Sequence, residues 1–146
     1  MNSEMSFLTN DQKHEVEIAI KEAEKLTSGE IRVHLIKDKN IKDILSAAKI
    51  VFKKLSMHKT KDRNGIILVI APNARQFAIF GDKGINEKIA DGFWDKVRDD
   101  IKQSFKQEKY VEGIKNAVLE TGKVLKNFSP IQHDDINELS NEVTES

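Results

Sequence analysis

Apolar residues first recur at helical spacing at Val16, Ala19, Ile20, Ala23 and Leu26, and Ser28-Gly29 stops the pattern. Thr9, three residues ahead of Gln12, reads as a capping box in which each side chain satisfies an amide left without a partner at the helix start. From Glu30 the period changes to two. Ile31, Val33 and Leu35 share one face, and Arg32 and His34 the other, which predicts a half-buried strand with His34 exposed or partly covered. Ile44, Ala48, Val51 and Leu55, with Leu45 and Phe52 beside them, predict a second amphipathic helix. Residues 65–71 are then almost continuously apolar, as expected of a central strand covered on both faces. Strand, helix and buried strand make a βαβ unit, so the two strands should run parallel.

Pro72-Asn73-Ala74 is too short to carry a crossover, so the strand over residues 75–80 should run antiparallel to the one before it. After Gly81-Asp82-Lys83-Gly84, Ile85, Ile89, Phe93, Val97, Ile101 and Phe105 recur every four residues and predict one long helix, with Trp94 beside the stripe as a packing residue. Tyr110, Ile114, Ala117, Val118, Thr121, Leu125 and Phe128 predict a last helix that ends before Pro130. The expected fold is α/β: a mixed sheet with a βαβ unit and an antiparallel third strand, packed between helices, over residues 8–130. Residues 131–146 are polar and aperiodic, which predicts a disordered acidic tail.

Composition narrows the class. The chain has 146 residues, the size of one domain, and no cysteine, so neither a disulfide framework nor a thiolate metal site is available. A cytoplasmic protein is expected, with no signal peptide and no apolar run of the ~18 residues that a membrane span needs. The formal charge is zero, yet all 24 basic residues lie within residues 1–128, against 19 of the 24 acids. That excess is modest, and the basic run from Lys53 to Arg63 has no interleaved aromatics, so nucleic acid is an unlikely partner. Phosphate-cradling, dinucleotide, serine-hydrolase and zinc-protease motifs are all missing.

Strand direction points to chemistry. The starts of two parallel strands and the end of an antiparallel third lie at one end of the sheet, which should bring together Glu30, Asp62 and Asp82, with Asp91 approaching from the following helix. Such carboxylates repel unless a positive group sits among them. A hard cation, Ca2+ or Mg2+, would meet that need through oxygen ligands, and Gly81 and Gly84 allow close backbone approach. Ordinary salt bridges to Lys61, Arg63 and Lys83 are the alternative. No residue stands out as a nucleophile or general acid, so no catalytic residue is assigned.

Ser28-Gly29-Glu30-Ile31, Arg63-Asn64-Gly65, Gly81-Asp82-Lys83-Gly84-Ile85, Ala90-Asp91-Gly92-Phe93-Trp94 and Tyr110-Val111-Glu112-Gly113-Ile114, in this order, resemble the TPM domain family. The resemblance covers about residues 8–130 and is nearest to the family's short, soluble bacterial branch. It implies a sheet between helices and a site for divalent cations, with the family's positions falling on Glu30 and Asp91. It also implies, as an alternative, a metal-assisted acid phosphatase acting on phosphate monoesters; in such an enzyme this chain's own Arg63, a basic residue beside the acids, would clamp the phosphate. A third possibility is an adaptor that meets a protein partner. This chain has Arg63 where many members have aspartate, and Gly81-Asp82-Lys83-Gly84-Ile85 where Gly-Tyr-Gly-Leu-Glu is usual.

Overall fold

The computed structural model describes residues 7–89, 92–130 and 139–146. Helix α1 (Asn10–Glu24) begins at the expected capping box: the Gln12 amide donates to Thr9 Oγ1 and the Thr9 amide to Gln12 Oε1. Strand β1 (Glu30–Leu35), helix α2 (Ile44–Lys54) and strand β2 (Gly65–Ala71) follow, and β1 and β2 pair in parallel with Glu30 opposite Gly65. A single 3₁₀ turn, Pro72–Ala74, leads into strand β3 (Gln76–Gly81), which pairs antiparallel to β2 with Ile66 opposite Gly81. Helices α3 (Lys83–Asn86), α4 (Phe93–Lys106) and α5 (Tyr110–Phe128) complete the body. The sheet order is β3-β2-β1-β4, where β4 is Thr144–Glu145.

Two apolar cores lie on the two faces of the sheet, because successive strand residues point to opposite sides. One core joins Ile31, Val33, Ile66, Leu68 and Ile79 to buried residues of α1, α4 and α5. The other joins Ile67, Val69 and Ala78 to Ala48, Val51 and Phe52 of α2. The layers are therefore helices, mixed sheet, helix. Among the described residues no helix is long and apolar enough to cross a membrane.

Three expectations need correction. The single long helix after Gly84 is divided into α3 and α4, and Gly92 caps α4 at φ 87°, a left-handed backbone that glycine adopts without a Cβ clash. The apolar stripe runs on across the break because Ile85, Val97 and Ile101 all face the same core. His34 is not exposed: it is 4% accessible, with Nδ1 2.6 Å from Thr144 Oγ1 and Nε2 2.8 Å from Ser146 Oγ. The groups that cover it belong to the segment expected to be disordered. Of that segment, residues 131–138 lie outside the described residues, while 139–146 end in β4, paired in parallel with β1. The backbone of Ser146 exchanges hydrogen bonds with Leu35 and Lys37, the Val143 amide donates to Glu17 Oε2 at 3.0 Å, and Lys13 pairs with Glu145 at 2.5 Å. These contacts hold a segment that has no apolar period of its own.

Trp94 is half-buried against the helical core, its ring centroid 4.6 Å from that of Phe93, in keeping with a packing residue.

Candidate functional site

Six of the buried polar residues, Thr27, Glu30, Thr60, Asn64, Asp82 and Ser129, lie on the segments that meet at the amino ends of β1 and β2. Burying a polar group costs free energy unless it finds partners, so this concentration marks a built polar centre rather than an accident of packing.

Strand β1 opens on Glu30, which is 3% accessible and whose amide donates to the Asn64 carbonyl at 3.2 Å. Glu24, the last residue of α1, takes the Ile31 amide on Oε2 at 2.8 Å and also shares a hydrogen bond with the Glu30 side chain. Burial pushes the Glu24 carboxyl up to about 8, and the charge and hydrogen bond of Glu30 act in the same direction, against the Ile31 amide, which lowers it. A second negative charge beside Glu30 is therefore disfavoured.

Asn64 is placed by the turn before β2. Its Nδ2 donates to the Ser28 carbonyl and to Ser129 Oγ, both at 3.1 Å. A carbonyl can only accept, which fixes the orientation of the amide and leaves Oδ1 as a buried acceptor with no partner among the described residues. Around it, Ser28 Oγ lies 2.7 Å from Ser129 Oγ, and Thr27 Oγ1 takes the Gly29 amide and donates to the Ser129 carbonyl.

Asp82 caps α3, with Oδ1 accepting the Lys83 amide at 2.8 Å. The Arg63 guanidinium grips the same carboxylate with two bonds, Nε to Oδ2 at 2.7 Å and Nη2 to Oδ1 at 2.9 Å. This fork also holds the Arg63 pKa above its usual value. Arg63 reaches that position from a left-handed backbone, φ 50°. Gly84 is what lets its loop lie so close to α3: a Cβ there would stand 2.2 Å from the Asp62 carbonyl oxygen and 2.6 Å from that of Arg63.

The predicted carboxylates therefore separate. Glu30 and Asp82 reach the same sheet end and are both buried, with Asn64 and Gly65 of the central segment between their backbones. Asp62 contributes its carbonyl to the loop packing, but the residue is exposed. Asp91 lies outside the described residues. Among the described residues no group of three His, Cys, Asp or Glu is placed to hold one ion. Glu24, Asn64, Thr27 and Ser129 escaped the sequence reading. Glu24 did carry a signal, since an acid in the last turn of a helix opposes the helix dipole and needs another reason to be there. The polar groups at this end of the sheet form two sets, the Glu24–Glu30 carboxyls and the Asn64 amide with its hydroxyl partners, and the acceptors of both are oxygen, the chemistry that Ca2+ or Mg2+ prefers.

The NMR structure of the BA42 protein from the psychrophilic bacterium Bizionia argentinensis is similar to this chain over the whole length of both, at 40% identity and a TM-score of 0.91. The solution structure of the N-terminal domain of a P. gingivalis protein shares the fold at 19% identity, with a TM-score of 0.71 over 89% of this chain and 85% of that one. The N-terminal domain of a Corynebacterium glutamicum protein does so at 16% identity, with a TM-score of 0.65 over 90% and 84%. No curated protein matches the chain. The TPM domain family matches residues 1–124, and with that match and the full-length likeness to BA42 the chain belongs to the TPM domain family.

Proposed function

We propose that this TPM domain binds a divalent cation, Ca2+ or Mg2+, through the Glu24–Glu30 carboxyl pair and Asn64 Oδ1 at the amino ends of β1 and β2. The observation that carries the reading is structural: two carboxyls, Glu24 and Glu30, are in contact at the start of β1, and the buried Asn64 Oδ1 at the same sheet end has no partner among the described residues. Two carboxyls in hydrogen-bond contact, Glu30 buried and Glu24 half-buried, disfavour a double negative charge, and burial pushes the Glu24 pKa up to about 8. A cation would take the place of the Glu24 proton, and the unpartnered Asn64 oxygen would gain a partner. Bound there, the ion would supply positive charge. Glu24 would hold its second oxygen on the Ile31 amide and so keep its orientation.

A metal-assisted phosphatase is less well supported. Arg63, the residue expected to clamp a phosphate, already gives two hydrogen bonds to Asp82, so an incoming phosphate competes with a seated carboxylate.

The test is calorimetric titration of the chain with Ca2+ and with Mg2+ at about pH 7, in two buffers of different ionisation enthalpy. Binding should release about one proton per ion, and Glu24→Gln should abolish the release and weaken the ion. Amides of residues 29–31 and 63–65 should shift together. Binding without proton release, or shifts confined to residues 139–146, would remove the proposed site. With the ion bound, no turnover of a generic phosphate monoester is expected.

A further inference from the structure

At the far end of the sheet the chain forms a second feature that the cation site does not use. The carboxyl end of β2 at Ile70, the turn at Pro72, the last turn of α4 and the first residue of α5 enclose a cleft of about 620 Å³. That volume is within the range of small-ligand sites. Because β1 and β2 are six and seven residues long, the cleft stands about 20 Å from Glu30 at roughly 3.3 Å per strand residue.

Aromatic rings line the inside. Phe77 meets Phe105 at 5.9 Å between centroids, Phe105 meets Tyr110 at 5.3 Å, and Tyr110 meets Phe7 at 4.9 Å, so four half-buried rings form one continuous row. The rim is cationic: Arg75, Lys102 and Lys106 are exposed, and Glu108 is the only acid among the lining residues. None of these three cations takes part in an ion pair among the described residues.

Backbone geometry marks the same place. Four non-glycine residues among those described have left-handed φ, and two of them, Arg75 at 54° and Glu108 at 60°, line this cleft. Such conformations carry a cost that folded proteins concentrate where a side chain must be aimed. Hydrogen bonds hold the walls, with Asn73 Nδ2 donating to the Lys37 carbonyl and Gln76 Nε2 to the Ile41 carbonyl, each at 2.9 Å.

We propose that this cleft binds a nucleoside monophosphate or a ligand of the same class, a planar ring carrying a phosphate. The ring packs on the aromatic row, an interaction that is tolerant of base identity because every base has a π-face. The phosphate meets Arg75, Lys102 and Lys106, and the excess of positive charge selects an anion over a neutral ring. The carboxyl end of parallel strands is also where open α/β sheets most often place ligands.

The experiment compares three probes on the full chain by NMR: AMP, adenosine and ribose 5-phosphate. AMP should shift the amides and rings of Arg75, Phe77, Phe105 and Tyr110, and should bind about tenfold more tightly than either half, a difference of ~1.4 kcal/mol. Affinity should fall as salt rises. The double variant Lys102→Gln, Lys106→Gln changes only exposed side chains, so it should keep the melting temperature while weakening AMP by about fivefold or more. Equal binding of ribose 5-phosphate and AMP would reduce the cleft to a charge patch. Equal binding of adenosine would reduce it to an apolar hollow. No shift with AMP at concentrations up to about 10 mM would overturn the proposal outright.

Discussion

At neutral pH the Glu24 carboxyl holds a proton that an exposed glutamate would have lost, since its pKa stands at about 8 against the ordinary 4.5. An acid with a raised folded pKa binds protons more tightly in the folded state, so it subtracts stability as pH rises from about 4.5 to about 8 and adds no further slope above that. The steepest loss one such group can cause is ~1.4 kcal/mol per pH unit. Glu24→Gln keeps an oxygen for the Ile31 amide and places N–H donors toward Glu30, without a titration. Its melting temperature should therefore fall less than that of the unchanged chain between pH 5.5 and pH 8, by roughly the share this carboxyl contributes. Identical slopes in the two proteins would mean that folding does not raise the Glu24 pKa.

Where whole elements meet, packing decides more than propensity. Helices α1 and α5 pack so closely that a Cβ on Gly122 would lie 2.7 Å from Ala23 Cβ, 2.9 Å from its Cα and 3.0 Å from its carbonyl oxygen. Helix propensity alone favours Gly122→Ala by about 1 kcal/mol. Overpacking against backbone that cannot rotate away costs about 1–3 kcal/mol, so the substitution should lower the melting temperature by a few degrees, near 3 °C per kcal/mol for a chain of this size. A rise in a thermal melt would show that the helices separate freely. Element order and strand direction were legible because they rest on local periods and connection lengths: six residues of alternation in β1, an apolar run in β2, a three-residue turn before β3. The break between α3 and α4 was hidden because Ile85, Val97 and Ile101 face one core on both sides of it. Strand β4 was hidden for the opposite reason. Two residues carry no period, and what seats them is a set of distant partners: the β1 backbone, the His34 imidazole, Lys13 and Glu17.

Across the whole molecule, strand direction brought Glu30 and Asp82 to one end of the sheet, where the structure has them, but the sequence could not say which oxygen atoms would be left free. That depends on burial and partners: Asp82 is taken by Arg63, Asp62 faces solvent, and Asn64 Oδ1 is left over only because Ser28 and Ser129 engage the other side of the amide. The sheet also has two outer strands, and β1 would be one of them without its late partner. Here the Glu24 carboxyl group occupies the Ile31 amide near one end of β1, while β4 and Ser146 cover His34 and Leu35 near the other. An open strand edge is a template on which a second chain can add, so these two covers act as guards against self-association. Acid should weaken the second guard. Burial holds His34 down at about 4, with Arg32 pushing the same way and Glu145 opposing, so the stability it contributes is lost as pH falls from 6.5 toward 4. A chain lacking residues 139–146 should form dimers or larger species whose proportion rises with concentration in light scattering at neutral pH, and the full chain should begin to do so near pH 4. A truncated chain that stays monomeric at every concentration would mean that the Glu24 end alone is enough to close the edge.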